Sequence, residues 1–187
     1  MTMRVAIEQS GASTAAWIAA LRRQATDEEI REFRSGTLAR VLGAAWLDSA
    51  LGDADILHAS ARTPCAPKKA RLTATLEDLS FWLMPKLNTS VETKAAREFA
   101  ERIVAHAHGL IAVSESVRQD AIRVLDVEPE NITTIYPGVD TKFFEAKAES
   151  RERPYVLAVG GDQPRQNFQT IQTAWQALKP ELRNTFE

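Results

Sequence analysis

Residues 107–118, AHGLIAVSESVR, contain a clear strand-to-helix pattern. The apolar run at 110–113 predicts a short buried strand, and Ser114 directly after it is a residue type that caps helices. Glu115 suits the positive N-terminal end of the helix that would follow. The apolar face of that helix consists of Val117, Ala121, Ile122 and Leu125. The stretch therefore predicts a strand that leads through a cap into an amphipathic helix.

Similar units precede and follow this stretch. Further strands are predicted at residues 4–8, 55–59, 70–76, 132–135 and 155–159. Helices are predicted after a loop at 9–14, where Ser13 or Thr14 could cap, and over 90–107. A further helical stretch is predicted over 26–50, with breaks at Gly36 and Gly43, and another helix follows Asn167, which could cap it. Alternating strands and helices predict an α/β fold with a parallel sheet. Ligands bind such sheets outside the carboxyl ends of the strands.

The composition is that of an ordinary globular protein. The 187 residues carry a formal net charge of -2, with 44% hydrophobic and 26% charged residues. These values exclude a disordered chain and give no general attraction to nucleic acid. The single Cys65 forms no intramolecular disulfide, which favours a cytoplasmic location. We expect neither a signal peptide at the start nor a membrane span.

Five segments, in their order along the chain, resemble the family 4 (group 1) glycosyltransferases, which have the GT-B fold. They are residues 53–59, 72–80, 107–118, 129–140 and 155–167, whereas residues 1–52 match only loosely. The resemblance implies a Rossmann-like, acceptor-side domain at 1–136, a hinge or linker at 137–153, and the first βα unit of a second Rossmann-like domain at 154–187. Donor domains of the family extend well beyond one βα unit, so we expect only an incomplete donor domain here.

The resemblance also implies a reaction. A hexosyl group would pass from a nucleotide sugar to a glycan, a lipid or a small acceptor with retention, and without a metal or another cofactor. Nucleic acid is not an expected partner, whereas peripheral membrane contact and a partner chain that covers the incomplete second domain are. One alternative is a non-catalytic or truncated GT-B-derived module that binds a sugar or a partner. Another is a different GT-B enzyme, such as a sugar-nucleotide epimerase.

The donor site is predicted from loops that could bind phosphate. The family often has a lysine in the run that reads Pro-Arg-Gln-Asn here, so Gln166 departs from the pattern and Arg165 could replace the missing cation. The loop at 9–14 presents backbone N–H groups at a helix N-terminus, where an anion can bind, although the local sequence favours a plain βα turn. The predicted donor-binding residues are Gly11, Gly160, Gly161, Arg165 and Asn167.

The acceptor side offers two groups of candidates. Glu77 and Asp78 occupy the place of a His-Asp pair in the family and are predicted as catalytic residues, with a helix-terminal carboxylate as the alternative. His58 and Arg62 are predicted to bind an anionic acceptor, although most such clusters of basic residues are solvated loops. Further cations follow at Lys68, Lys69 and Arg71.

The hinge is predicted from the run Pro-Gly-Val-Asp. Pro137 fixes φ, Gly138 permits unusual backbone angles, and Asp140 completes the family motif. A simple surface turn is the alternative explanation. Elsewhere, His106 and His108 are two residues apart and cannot share one helical face, so no metal site is predicted.

Overall fold

A computed structural model gives the fold of most of the chain. It describes residues 2–9, 12–35, 37–88, 91–145, 147, 153–161 and 164–186, and the side chains at 12, 13, 37–39, 91, 92 and 165 lie outside the description. The strands are β1 (Arg4–Glu8), β2 (Glu29–Phe33), β3 (Ile56–Ala59), β4 (Arg71–Leu76), β5 (Gly109–Ala112) and β6 (Ile132–Thr134). The helices are α1 (Ala12–Gln24), α2 (Thr37–Leu51), α3 (Ser80–Leu83), α4 (Val91–Val104), α5 (Glu115–Leu125), α6 (Lys142–Glu145), α7 (Phe168–Ala177) and α8 (Pro180–Arg183).

The six strands form one parallel sheet in the order β2-β1-β3-β4-β5-β6. Val5 of β1 lies opposite Ile30 on one side and Ile56 on the other. The register continues through Ala74 opposite Leu110, and every strand pair is parallel. The sheet flanked by helices confirms the predicted α/β, Rossmann-like class.

Different helices pack against the two faces of the sheet. Side chains alternate along a strand, so Leu72, Ala74 and Leu76 share one face of β4, and Thr73 and Thr75 share the other. The first face packs against buried residues of three helices: Leu47 and Leu51 of α2, Ala100 and Ile103 of α4, and Ala121 of α5. The second face carries His58, and the ring of Trp17 from α1 lies 5.2 Å from it. Helix α1 therefore covers the face opposite to α2, α4 and α5.

The strand-to-helix unit of residues 107–118 forms as predicted. Ser114 has extended backbone angles, and its Oγ accepts a hydrogen bond from Val117 N at 3.2 Å. The guanidinium of Arg118 donates to the carbonyl of Ile132 at 3.1 Å and to that of Pro129 at 2.9 Å. Glu115 accepts from the Thr134 hydroxyl at 2.9 Å. Helix α5 is thus capped at its start and joined to the edge strand β6.

Two predicted elements are wrong. The helical stretch predicted over 26–50 is confirmed where α2 forms, at Thr37–Leu51, but it is wrong before that, where the chain forms β2 at Glu29–Phe33. This strand lies at the sheet edge and is half solvated, so it lacks the long apolar run that marks a buried strand. The strand predicted at 155–159 does not form: residues 154–161 carry no helix or strand, and no strand among the described residues pairs with them. The helix after Asn167 is confirmed as α7, whereas Ser13 and Thr14 lie inside α1 rather than before it.

Gly43 bends helix α2. Its backbone angles are φ 67° and ψ -152°, which lie outside the helical region and in a region open only to glycine. The sequence predicts a break at Gly43, and the structure confirms it. The second predicted break, at Gly36, lies outside the described residues.

The chain divides into two compact units. The first comprises residues 1–83 and 89–137 and contains the whole sheet, and the second comprises residues 84–88 and 138–187. The second unit contains α6, α7 and α8, and its apolar side chains at Tyr155, Leu157 and Val159 are exposed. Among the described residues, no helix combines the length and the apolar character that crossing a lipid bilayer requires. The predicted domain bounds stay a prediction.

Candidate functional site

The strand order places a topological switch point beside β1. The chain leaves β1 toward β2 on one side and later crosses to β3 on the other. Connections at the carboxyl ends of such strands run in opposite directions and leave a crevice where ligands bind. Glu8 ends β1 and Ala59 ends β3, so the candidate site is built on these two ends. An open, acidic depression lies at the other ends of the strands, before β1 and β2. It is lined by Thr2 and residues 26–29.

Glu8 is a buried carboxylate at this crevice. It is only 2% exposed, although it directly follows the apolar strand residues Ala6 and Ile7. Its Oε1 accepts hydrogen bonds from Ser35 N at 2.9 Å and from Ser35 Oγ at 3.0 Å. Its Oε2 is buried and has no hydrogen-bond partner among the described residues. Burial raises the pKa of Glu8, and the Ser35 hydrogen bonds and the charge of Arg62 oppose that shift.

Ser35 joins the ends of three neighbouring strands. It follows β2, binds Glu8 at the end of β1, and its hydroxyl also lies 3.3 Å from the carbonyl of Arg62 after β3. The Arg62 amide donates to Ser60 Oγ at 3.2 Å, which fixes the start of that loop. The Arg62 side chain remains exposed. A buried carboxylate and an exposed guanidinium therefore lie at the same end of the sheet.

His58 lies near the carboxyl end of β3, inside the strand predicted over 55–59. Its Nδ1 is 3.0 Å from Thr73 Oγ1, and its Nε2 is 3.2 Å from Thr75 Oγ1. Burial lowers the pKa of His58 to about 4, so the ring is neutral at pH 7. A neutral imidazole has one donor and one acceptor nitrogen, and the two hydroxyls can serve both. The ring is 9% exposed, and its predicted contact with an anionic acceptor stays a prediction.

Glu77 and Asp78 follow β4 at the same edge of the sheet. The Asp78 carboxylate accepts from Ser80 N at 2.7 Å and from Ser80 Oγ at 3.1 Å, so it holds the first turn of α3. The side chain of Glu77 is exposed. This geometry matches the alternative of a helix-terminal carboxylate for Asp78. The catalytic assignment of both residues stays a prediction.

The loop between β3 and β4 is fixed largely through its backbone. Buried Asp48 accepts from Lys68 N at 2.9 Å and from Lys69 N at 3.2 Å. Thr63 is fully buried and accepts from Ser60 N at 3.0 Å. Burial raises the pKa of Cys65, which favours the unreactive thiol over the thiolate. Cys65 is half-buried against the hydrophobic core and fits the role of a small packing residue.

The predicted donor-binding residues lie partly outside the description. Gly11 is not described, and nothing is described of the Arg165 side chain. The Gly161 amide donates to Gln166 Oε1 at 2.7 Å. A Cβ on Gly160 would come within 2.9 Å of the Phe168 ring, so a larger residue there would require the ring to shift. Gln166, which stands in the place of the expected lysine, thus accepts the hydrogen bond of the Gly161 amide, and Gly161 is one of the predicted donor-binding residues.

Asn167 begins α7 in an unusual way. It has left-handed backbone angles, φ 52° and ψ 36°, and its side chain caps no backbone N–H. Its Oδ1 instead accepts from the Thr170 hydroxyl at 2.6 Å. Asn167 therefore lies at the predicted start of α7, but the prediction that its side chain caps the helix is wrong, and its contact with a donor phosphate stays a prediction.

The predicted hinge residues coincide with the end of the first unit. Pro137 is the last residue of that unit and Gly138 belongs to the second. Asp140 Oδ1 accepts from Lys142 N at 3.0 Å and thereby starts α6. The role of these residues as a hinge stays a prediction. Within the described part of the chain, no group of three or more His, Cys, Asp or Glu residues could hold a metal ion.

The sequence patterns missed Glu8 and Ser35. Glu8 was read as the polar end of a short strand, and Ser35 fell inside the helix that was wrongly predicted over 26–50. One signal for Glu8 was available in the sequence: a carboxylate directly follows the apolar residues of the first strand. Ligands bind parallel sheets at the carboxyl ends of the strands, so a charged residue there is a candidate site residue.

The comparison with protein families agrees with this architecture. The model described as Glycosyltransferase Family 4 matches residues 13–143, which include five of the six strands. The chain therefore belongs to glycosyltransferase family 4. A comparison with curated protein sequences finds no match. The family assigns the chain to the glycosyltransferases in general, with a sugar donor and an acceptor as substrates.

Proposed function

We propose that this chain transfers a hexosyl group from a nucleotide sugar to a hydroxyl of a glycan, a lipid or a small acceptor, with retention of anomeric configuration. The family match over residues 13–143 is the observation that carries the proposal. The switch-point crevice at Glu8 supports it, because it supplies a place for an acceptor in the first unit. The transfer would use the nucleotide sugar as substrate and need no further cofactor.

The proposed roles of the site residues follow from their positions. Arg62 carries an exposed cation at the carboxyl edge of the sheet and would attract an anionic acceptor. Glu77 is exposed at the same edge, after β4, and is our candidate for proton transfer from the acceptor hydroxyl. Gly160 and Asn167 would contribute to the donor side. A cytoplasmic location is part of the proposal and rests on the single cysteine.

Product analysis tests the proposal. The full chain would be incubated with UDP-hexoses or GDP-hexoses and a panel of glycan, lipid and small-molecule acceptors. We expect a hexosylated product by mass spectrometry, with the anomeric configuration of the donor by proton NMR. An inverted product would contradict retention only, whereas folded protein that yields no product with any pair would contradict the transferase proposal.

A non-catalytic sugar-binding module is the second candidate. The hydrogen bond from the Gly161 amide to Gln166 Oε1 favours it, because it removes one backbone donor from a predicted phosphate site. Calorimetric titration with the same nucleotide sugars and with free sugars separates the candidates. The module would bind free sugars without binding the nucleotide donors, whereas the transferase would bind both.

A further inference from the structure

The turn that follows β3 is hydrogen-bonded on both sides of Arg62. Thr63 N donates to the carbonyl of Ser60 at 2.9 Å, so residues 60–63 form a four-residue turn. In return, Ser60 N donates to Thr63 Oγ1 at 3.0 Å. The Arg62 amide donates to Ser60 Oγ at 3.2 Å, and the Arg62 carbonyl accepts from Ser35 Oγ at 3.3 Å. The backbone of Arg62 is therefore held at both its amide and its carbonyl.

Thr63 fixes this turn to the body of the first unit. It is fully buried, whereas Ala61 and Arg62 directly before it are exposed. Its carbonyl accepts from Arg102 Nη2 of α4 at 3.1 Å. A buried hydroxyl lowers stability unless it is hydrogen-bonded, and this one satisfies the amide of Ser60. Thr63 thus joins the exposed Arg62 to the buried part of the first unit.

The guanidinium of Arg62 carries a charge that the described residues do not neutralise by an ion pair. Its charge lowers the pKa of Glu8, so it lies on the side of the β1 end. A guanidinium binds phosphate or carboxylate groups through two parallel hydrogen bonds, and this geometry requires a defined direction of approach. A backbone that is already fixed under the side chain reduces the conformational freedom that is lost on binding.

We propose that Ser60 and Thr63 are positioning residues for Arg62, whose guanidinium binds the phosphate or carboxylate group of a sugar acceptor. The inference rests on the proposed function, because it takes the bound molecule to be the acceptor of the transfer. It adds the residues from which selectivity for anionic sugars arises. Neither of the two hydroxyls touches the ligand, and both act through the backbone of the turn.

NMR titration of the full chain with glucose 6-phosphate, glucuronate and glucose tests the proposal. We expect at least one anionic sugar to bind about tenfold more tightly than glucose, and Arg62→Gln should abolish that preference. Thr63→Val removes the acceptor of the Ser60 amide, so we expect about three- to tenfold weaker binding of the anionic sugar. Thr63→Ser keeps the hydroxyl and should restore most of the affinity. Thr133→Val, at an exposed threonine of β6, is the matched control and should bind like the wild type.

A double-mutant cycle separates positioning from a general loss of structure. In the Arg62→Gln background, Thr63→Val should leave the residual affinity for the anionic sugar unchanged, although it lowers the free energy of unfolding in both backgrounds. An equal loss of affinity in both backgrounds would overturn the inference, because Thr63 would then act on the site without Arg62. Equal binding by Thr63→Val and the wild type would also overturn it.

The wild-type chain alone gives a further test. If it binds all three sugars equally, or none of them, the inference is overturned. Product analysis with neutral glycans and lipids measures hexosyl transfer separately, so either result can be told apart from a failure of the transferase proposal. If Thr63→Val does not fold, Ser60→Ala tests the turn from its other side, because it removes the acceptor of the Arg62 amide. It should weaken binding of the anionic sugar about threefold, and unchanged affinity would contradict positioning.

Discussion

Ser35 donates both its amide and its hydroxyl to one oxygen of Glu8, at 2.9 Å and 3.0 Å. This pair ties the end of β2 to the end of β1 at the switch point, and the same hydroxyl lies near the Arg62 carbonyl after β3. The two residues are 27 positions apart in sequence, so their contact depends on the parallel pairing of β1 with β2.

The first prediction concerns how much the Ser35–Glu8 contact contributes to the free energy of unfolding. Ser35→Ala removes the hydroxyl donor from a buried carboxylate, so we expect the free energy of unfolding to fall by about 1.5–3 kcal/mol. In a Glu8→Gln background the same change should cost only about 0.5–1.5 kcal/mol, because the acceptor is neutral. Urea denaturation of the four proteins measures the difference. Ser116→Ala, on the exposed side of α5, is the control, and equal costs in both backgrounds would contradict the charge-assisted bond.

The second prediction concerns His58 and acid. Its pKa is about 4 in the folded chain and 6.5 when exposed, so the unfolded chain binds more protons between these values. Stability is therefore fully present above pH 6.5 and is lost as the pH falls toward 4, by about 3 kcal/mol from this group. Urea denaturation at several pH values checks it against His58→Gln, which can still bond to the threonines. Identical pH profiles of the two proteins would contradict a buried neutral imidazole.

The third prediction concerns the bend in α2. A Cβ added at Gly43 would have no atom within 4 Å, so Gly43→Ala causes no clash. Its effect on stability comes from a backbone conformation that alanine avoids. We expect it to lower the free energy of unfolding by about 1–3 kcal/mol. Gly52→Ala is the comparison, because that site is equally open and has φ 59°. Thermal unfolding measures both, and an unchanged midpoint for Gly43→Ala would show that α2 does not bend there in solution.

The fourth prediction concerns Gln166. Gln166→Lys frees the Gly161 amide and adds a cation, so nucleotide-sugar affinity should rise by about tenfold or more if this loop binds phosphate. Calorimetry with UDP-glucose and GDP-mannose measures the change. Gln169→Lys, one turn along in α7, adds the same charge without touching Gly161. Equal gains from both variants would indicate general charge attraction, and no gain would remove the loop from the donor site.

The sequence predicted the parallel α/β sheet because most of its strands leave strong local signals. β5 is an apolar run followed by the Ser114 cap, and its pattern needs no distant partner to be recognised. β2 was missed because an edge strand keeps charged residues such as Glu29 and Glu32 at its surface. The segment at 155–159 has a strand-like composition, yet a strand also requires a neighbour to receive its hydrogen bonds.

The candidate site was harder to predict than the fold. Asp78 and His58 were found because they follow or end predicted strands, but their hydrogen bonds to Ser80 and to two threonines depend on three-dimensional packing. Glu8 and Ser35 come together only through the order of the strands. Neither residue belongs to a short motif, so no local pattern could have paired them.

The central claim is that this chain transfers a hexosyl group from a nucleotide sugar to a hydroxyl acceptor. Phosphorus NMR of the full chain with UDP-hexoses or GDP-hexoses follows the leaving diphosphate directly, with and without the acceptor that binds most tightly. We expect UDP or GDP to accumulate, and we expect the rate of its release to rise when the acceptor is added. Two results would contradict the claim. In one, the folded chain leaves every donor intact in the presence of acceptors; in the other, it releases the diphosphate at the same rate with and without an acceptor.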